Sequence, residues 1–259
     1  MVFLCMVKLY KILIILLSII SCANKEDIVT YPDKTIPAKD TIQEVIEVEV
    51  PAIDTIDVRT DTLTYLALGD SYTIGSGVKE NERWPVQLVS ALRSIHFSVE
   101  NPEIVATSGW TTGNLLSALQ TRDLEPGYNL VSLLIGVNNQ YQGLDFNVFQ
   151  QQFIELLEFS FTKVRSRSGL FVLSIPDYGV TPFGKSNQTM ITEEINMYNT
   201  WIQEICQKNN IKFYNITEIS RLAENDVSWL ASDYLHPSGK MYAEWVKLLL
   251  ADPPKLLQE

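Results

Sequence analysis

Short apolar runs alternate with longer amphipathic segments from residue 63 onwards, and this alternation constrains the fold more than any other feature. The run at 130–135 is almost continuously apolar, which is typical of a strand buried on both faces of a parallel sheet. Strands that alternate with helices predict a three-layer α/β/α fold around a central parallel sheet. We expect strands at 65–68, within 97–106, and at 130–135, 170–175 and 211–215, and helices at 84–95, 146–164, 190–208 and 237–250, with a turn and a further helix at 107–119.

The first apolar run ends in residues that can carry chemistry. It stops at Gly69, and Asp70 and Ser71 follow directly. The carboxyl ends of parallel strands lie at one edge of the sheet, where open α/β proteins bind ligands. A serine hydroxyl is a weak nucleophile at neutral pH and needs an activating base. His236, one of two histidines in the chain, is the candidate base, and Asp233 can orient it from three residues earlier.

Four short motifs are similar to the blocks of the SGNH (GDSL-type) esterase and lipase superfamily. They are Gly69-Asp-Ser-Tyr72, Gly109, Gly136-Val-Asn-Asn139 and Asp233-x-x-His236, in the family's order. The resemblance spans about 65–250 and implies a flavodoxin-like α/β/α fold. Tyr72 stands where the family name has Leu, and Asn139 stands where Asp is usual. Because the preceding asparagine is intact, we expect an Asn139→Asp variant to be tolerated.

The resemblance implies a serine esterase that works through an acyl-enzyme without a metal or another cofactor. Ser71 would attack the ester carbonyl, His236 would take its proton and return it to the leaving alkoxide, and Asp233 would orient His236. The backbone N–H groups of Ser71 and Gly109 and the side-chain amide of Asn138 would hold the oxyanion. The loop at 176–183 is expected to shape the acyl or leaving-group pocket.

Each of these residues also has a structural alternative. Ser71 or Asp233 could cap a helix, and His236 could cap a helix or belong to a polar surface cluster. Asn138 could be a turn residue, and Gly109 could be required only for its backbone angles. Four aromatic residues beside the motifs are candidates for lining the substrate site, with core packing as the alternative: Tyr72, Trp110, Tyr141 and Tyr178.

Composition argues against several other classes of function. The formal net charge is −11 and there is no basic patch, so binding to nucleic acid through its phosphates is not expected. With two histidines and no cysteine pair in the domain, we expect neither a metal site nor a disulfide framework. Cys206 is expected to be a small buried residue of a helix.

Residues 1–21 indicate a bacterial lipoprotein signal peptide. Lys8 and Lys11 precede the apolar run at 12–20, which is shorter than the roughly 20 residues of a membrane span. Ile19-Ile-Ser-Cys22 resembles a lipobox, so we expect Cys22 to be lipidated and the protein to be anchored in the cell envelope, at the outer membrane. Lys25-Glu-Asp27 resembles the surface-export signal of Bacteroidetes lipoproteins. Ordinary secretion and an uncleaved anchor are the alternatives.

Residues 22–62 are expected to form an acidic tether before a catalytic domain at 63–259. The segment is rich in Asp, Glu, Thr and Pro and has no helical period. The alternation at 45–50 leaves a short added strand as an alternative. The triplets that start at Asp40, Asp54 and Asp61 resemble Asp-Thr-aliphatic O-glycosylation sites of Bacteroidetes.

We therefore predict a carboxylic ester hydrolase of the cell envelope. Two substrate classes compete: acetyl or other short acyl groups on carbohydrate, and lipid acyl chains, as in lysophospholipid or thioester hydrolysis. The lipid anchor and acidic tether favour carbohydrate. The alternative of another class is a binding lipoprotein that retains the fold without turnover.

Overall fold

A parallel sheet of five strands forms the centre of the part of the chain that the computed structural model describes, residues 61–258. The strands are β1 (Tyr65–Gly69), β2 (Glu103–Ala106), β3 (Leu130–Leu134), β4 (Leu170–Leu173) and β5 (Lys212–Tyr214). Their order across the sheet is β2-β1-β3-β4-β5, and every pairing is parallel. Strand β1 therefore has a neighbour on each side, with Gly69 level with Ala106 and Leu134.

Helices flank this sheet, and the predicted α/β/α fold is confirmed. Helix α2 (Trp84–Ser94) packs against α8 (Gly239–Ala251), and α3 (Thr112–Gln120) packs against α5 (Phe146–Lys163). Each predicted strand and helix is present, although several ends differ. The helices of residues 61–258 are α1 (Ser71–Ile74), α2 (Trp84–Ser94), α3 (Thr112–Gln120), α4 (Val137–Tyr141), α5 (Phe146–Lys163), α6 (Gln188–Lys208), α7 (Thr217–Ser220) and α8 (Gly239–Ala251).

Capping side chains set where two helices begin. The hydroxyl of Ser238 accepts the N–H of Met241 at 3.4 Å, so α8 begins at residue 239. Pro237 therefore precedes the helix, and the predicted start of this helix at residue 237 is wrong. Thr111 caps α3 through the N–H of Asn114 at 3.3 Å. Residues 107–111 are thereby left as a loop at the carboxyl end of β2.

Aromatic packing fixes the position of β1 in the sheet. The ring of Tyr65 lies 6.4 Å from the Trp84 ring and 6.1 Å from the Phe171 ring, between centroids. Its hydroxyl shares a hydrogen bond of 2.8 Å with Ser132 of β3. Burial of each such ring contributes about 1.5–3 kcal/mol. Tyr65 therefore anchors the amino end of β1 against β3, β4 and α2.

The predicted signal peptide (1–21), the lipidation site Cys22 and the tether up to residue 60 lie outside the described residues. The same holds for the export motif at 25–27, the alternative strand at 45–50 and the first two glycosylation triplets. Leu63 is fully buried and pairs with Val99. Within residues 61–258, no helix has both the length and the apolar character that a membrane span requires.

Candidate active site

Ser71 lies at the carboxyl end of β1 as the first residue of α1. Asp70 is the capping residue of this helix, and its Oδ1 accepts the N–H of Tyr72 at 3.0 Å. The alternative that Ser71 itself caps the helix is therefore wrong. Ser71 is only 5% exposed, yet it lines a cavity at this edge of the sheet.

Asp233 and His236 are joined directly in the loop before α8. His236 Nδ1 lies 2.7 Å from Asp233 Oδ2, while Asp233 Oδ1 accepts the backbone N–H groups of Leu235 and His236, each at 3.0 Å. Burial raises the pKa of Asp233, but these hydrogen bonds outweigh it, and the pKa lies below its usual value. An ionised carboxylate can only accept, so His236 Nδ1 donates and Nε2 keeps its lone pair.

Ser71 and His236 line the same cavity. Among the contacts of the described residues, no hydrogen bond joins their side chains. Such bonds are often long in unliganded enzymes and tighten when substrate binds. The Tyr72 ring meets the imidazole edge-on, with centroids 5.8 Å apart, and Tyr72 also lines the cavity. Tyr72 therefore supports the His236 ring as well as forming part of the wall.

Gly109, in the loop after β2, and Asn138, in the short helix α4 after β3, border the cavity. Gly109 has φ +84°, which favours glycine, and a Cβ at this position would meet no atom within 4 Å. Its backbone angle therefore favours glycine, and the space beside it is open. Asn138 Nδ2 donates to the carbonyl of Trp110 at 2.9 Å, which ties α4 to the loop after β2. The second N–H of this amide is left for another acceptor.

Asn139 occupies a fully buried position in a network that suits an amide. Its Oδ1 accepts the backbone N–H of Thr112 at 3.0 Å, and its Nδ2 donates to Thr112 Oγ1 at 2.7 Å. That hydroxyl donates onward to Gln152 Oε1 at 2.6 Å. The residue fixes the start of α3 against the loop after β3.

We expect Asn139→Asp to keep activity but to lower the melting temperature at neutral pH. An aspartate could accept both Thr112 donors if Gln152 turned its amide, but it would place a charge at a fully buried site. We expect a loss of about 1–3 kcal/mol, or roughly 2–4 °C for each kcal/mol in a domain of this size. Melting curves from pH 4 to pH 8 test this, and the deficit should shrink at low pH. An unchanged melting temperature at pH 8 would contradict it.

Asp70 is fully buried directly beside Ser71. Its Oδ2 has no hydrogen-bond partner among the described residues, in contrast to Oδ1. Burial raises the pKa of Asp70 to about 7, although the hydrogen bond from Tyr72 opposes this effect. The carboxyl group therefore becomes charged inside the domain as the pH passes through the neutral range.

We expect Asp70→Asn to raise the melting temperature at pH 8 but not at pH 4. The unfolded chain ionises Asp70 near its ordinary pKa of 3.8, and the folded chain does so only near 7. Stability therefore falls between about pH 4 and pH 7, by up to roughly 1.4 kcal/mol for each pH unit. Asparagine retains the cap and removes this ionisation. Melting curves across that range test the effect, and a variant less stable than wild type at every pH would refute it.

The cavity has a volume of about 200 Å³. Tyr141 and Tyr178 line it, as do Val137 and Leu235, which the sequence analysis did not identify. Phe183 also lines it, so the expectation that the loop at 176–183 shapes the pocket is confirmed. Val137 and Leu235 stand at unspecified positions inside two of the motifs, and Phe183 lies outside all four. Their role had no sequence signal, because apolar side chains resemble core residues until the fold places them.

Trp110 is not among the residues that line the cavity. Its side chain packs against the hydrophobic core, which was the alternative to lining the substrate site. Only its backbone carbonyl takes part in the site, as the acceptor from Asn138. Cys206 is buried in α6, as expected. In residues 61–258, no group of three or more His, Cys, Asp or Glu side chains is arranged to hold a metal ion.

Comparisons with solved structures agree with this fold. A lipolytic protein of the G-D-S-L family from Veillonella parvula shares 16% identity over 74% of this chain and 98% of its own, with a TM-score of 0.58. The esterase EstA from Pseudoalteromonas sp. shares 18% identity over 76% of this chain and 99% of its own, with a TM-score of 0.54. A mutant form of the acetylxylan esterase Axe2 from Geobacillus stearothermophilus shares 16% identity over 74% of this chain and 94% of its own, with a TM-score of 0.58.

The sequence itself matches a family model. Residues 67–244 match the GDSL-like Lipase/Acylhydrolase family, and this range includes all three of Ser71, Asn138 and His236. A search of curated proteins found no match to the sequence. The family match covers more than half of the chain and agrees with the motifs and the fold. The chain thus belongs to the GDSL-like lipase/acylhydrolase family and is a carboxylic ester hydrolase of that family.

Proposed function

We propose that the protein is a serine esterase in which Ser71 is the nucleophile, His236 the general base and Asp233 the residue that orients the base. The hydrogen bond of 2.7 Å between Asp233 and His236, beside the cavity that Ser71 lines, is the observation that carries this proposal. The bond holds the imidazole in the tautomer whose Nε2 can accept a proton. The Asp233 carboxylate also stabilises the imidazolium that forms.

The reaction would proceed in two halves. Ser71 Oγ attacks the ester carbonyl while His236 Nε2 takes its proton, and the proton then passes to the leaving alkoxide. Water, deprotonated by the same imidazole, then attacks the acyl-enzyme carbonyl, and the imidazolium returns the proton to Ser71 Oγ as the acid is released. The N–H groups of Ser71 and Gly109 and the free N–H of Asn138 are offered to the oxyanion. Each such donor contributes about 2.7–4 kcal/mol to transition-state stabilisation.

We further propose that the substrate is an acetyl or short acyl ester of carbohydrate. The volume of about 200 Å³ lies below the range of roughly 300–1,000 Å³ typical of ligand pockets. A long acyl chain would leave many methylenes in water and forgo about 0.8 kcal/mol for each one. None of the described residues that line the cavity is Lys or Arg, which disfavours phosphate-bearing leaving groups such as those of lysophospholipids.

Hydrolysis of a series of nitrophenyl esters from acetyl to palmitoyl tests the acyl preference, since the leaving group stays constant. We expect kcat/KM to be highest for acetyl and butyryl esters and to fall with chain length. A rise with chain length would favour the lipid acyl hydrolase instead. The Ser71→Ala variant, assayed alongside, gives the background rate.

The location of the protein is a separate proposal that rests on the sequence alone. Lipidation of Cys22 would anchor the protein in the bacterial outer membrane through the segment at 22–62. In cells fed an alkyne fatty acid, we expect wild type to be labelled and to sediment with membranes, and Cys22→Ser to lose both properties. Cys206→Ser is the matched control. Label that persists in Cys22→Ser would refute the proposal.

A further inference from the structure

We propose that Tyr141 and Phe183 form an aromatic shelf that binds the sugar ring carrying the acyl group. This inference rests on the proposed esterase function and deepens it, because it names the residues that select a carbohydrate alcohol. The two rings lie with centroids 5.8 Å apart and planes tilted by 46°. Both residues line the same cavity as Ser71.

The exposure of this pair is the first argument. Tyr141 is 55% exposed and Phe183 is 53% exposed, whereas Tyr178 beside them is only 6% exposed. The Tyr178 ring lies 6.2 Å from Tyr141 and 6.3 Å from Phe183, and so supports both. Single exposed apolar residues are ordinary, but adjacent exposed rings at the mouth of a reactive cavity are typical of a ligand site.

Hydrogen bonds and close packing hold the loop that carries Phe183, whereas Tyr141 is the last residue of α4. Asp177 is buried, and its carboxylate accepts hydrogen bonds from Gly179 N–H at 2.9 Å, Thr192 Oγ1 at 2.8 Å and Arg221 Nε at 3.1 Å. A Cβ at Gly184 would clash with the Tyr178 carbonyl, so the end of the loop closes tightly on its start. A preformed surface loses little conformational entropy when a ligand binds.

The two sides of the cavity differ in chemistry. Strand β1, which leads to Ser71, lies between β2 and β3. The aromatic residues follow β3 and β4, whereas Ser108 follows β2 and lies within 2.5 Å of Ser76 between hydroxyl oxygens. A sugar ring offers a C–H face to aromatic rings and hydroxyl groups at its edge. A cavity with aromatic rings on one side and the Ser108 hydroxyl on the other matches such a ring, whereas a lipid chain would leave that hydroxyl unused.

The lack of charged side chains among the described residues that line the cavity narrows the class of sugar that would bind. None of the described residues that line it is Asp, Glu, Lys or Arg. A neutral sugar therefore fits better than a uronic acid or a phosphorylated alcohol, which would need a cation. Because both rings are more than half exposed, an oligosaccharide can extend from the shelf into solvent. Only the acyl group and the ring that carries it then need to fit the cavity of about 200 Å³.

Kinetics with two acetate esters test the shelf. An O-acetylated xylo-oligosaccharide carries the sugar ring and ethyl acetate lacks it, and both are followed by acetate release. For Phe183→Ala and Phe183→Leu we expect KM for the oligosaccharide to rise about tenfold. Phe183→Trp should retain the wild-type KM because it restores a flat ring. Ethyl acetate has no ring for the shelf to bind, so its KM should rise by a smaller factor, and the ratio of the two KM values should rise severalfold in the Ala and Leu variants. Nitrophenyl acetate is unsuitable here, because its own ring can stack on the shelf.

A matched control and a binding assay make the outcome decisive. Ile95→Ala removes a side chain of equal exposure, 53%, at the end of α2, and should leave KM for both esters unchanged. Calorimetric titration of the Ser71→Ala protein with the oligosaccharide measures binding without turnover, and Phe183→Ala in that background should weaken it about tenfold. Full retention of binding when Phe183→Ala is added to the Ser71→Ala protein, or an equal rise in KM for both esters, would overturn the shelf. Failure of wild type to hydrolyse either ester, with binding retained, would instead refute the proposed esterase function.

Discussion

Ser71→Ala is expected to lower ester turnover by about 10⁴-fold or more, with the melting temperature within about 2 °C of wild type. The substitution removes the proposed nucleophile, Ser71 Oγ, and the remaining proposed oxyanion donors and substrate binding would give only residual catalysis. The Ser71 side chain makes no hydrogen bond among the contacts of the described residues, so its loss removes little native stabilisation. A substitution that creates neither a cavity nor an unpaired buried group has a small effect on folding.

Covalent labelling separates this result from a non-catalytic role. A fluorophosphonate probe should label wild type at Ser71 and leave Ser71→Ala unlabelled. Ser108→Ala is the matched control, because Ser108 is a serine that lines the same cavity. It should label as wild type does. A well-folded wild-type protein that never labels would favour the alternative of a binding protein that retains the fold.

Asp233→Asn should have the second largest effect, a fall in kcat of about 10⁴-fold with KM little changed. The amide can donate to Nδ1, which favours the tautomer with its proton on Nε2, where the serine proton must go. It also removes the charge that stabilises the imidazolium. Because the pKa of Asp233 is lowered in the folded protein, this support is present above that pKa and is lost as the pH falls through it.

Asp226→Asn is a matched control for this variant. Asp226 also accepts hydrogen bonds in a nearby loop, from the N–H of Ser228 at 2.9 Å and its hydroxyl at 2.7 Å, but it does not line the cavity. Both variants lose one carboxylate, so a difference in kcat isolates the contact with His236. Equal effects of the two substitutions would show that Asp233 acts only on local structure.

The fold was predictable from sequence because its strands are buried on both faces. Such strands are continuous apolar runs, as at 130–135, and amphipathic helices separate them. The ends were less certain because single capping side chains set them. Ser238 excludes Pro237 from α8, and Thr111 delays the start of α3 until after Gly109.

The polar residues of the site were easier to predict than its walls. Ser71, Asp233 and His236 stand in short motifs, and the structure brings them to one edge of the sheet. Phe183 and Trp110 have no such signal, since an aromatic residue in a loop can face either the core or a cavity. The partners of Asn139 and the unpaired oxygen of Asp70 depend on tertiary contacts that no local pattern encodes.

Ser71 and His236 are far apart in the sequence although they line one cavity, and this separation has a consequence for biosynthesis. Ser71 follows the first strand, while His236 precedes α8, the helix that packs against α2. Contacts between such distant segments form late, because a long loop must close before they can contribute. An N-terminal fragment on the ribosome therefore lacks His236, the proposed base, and we expect no esterase activity until the last helix has docked. Ester turnover can thus report that folding is complete, because collapsed intermediates of the same chain would have no turnover.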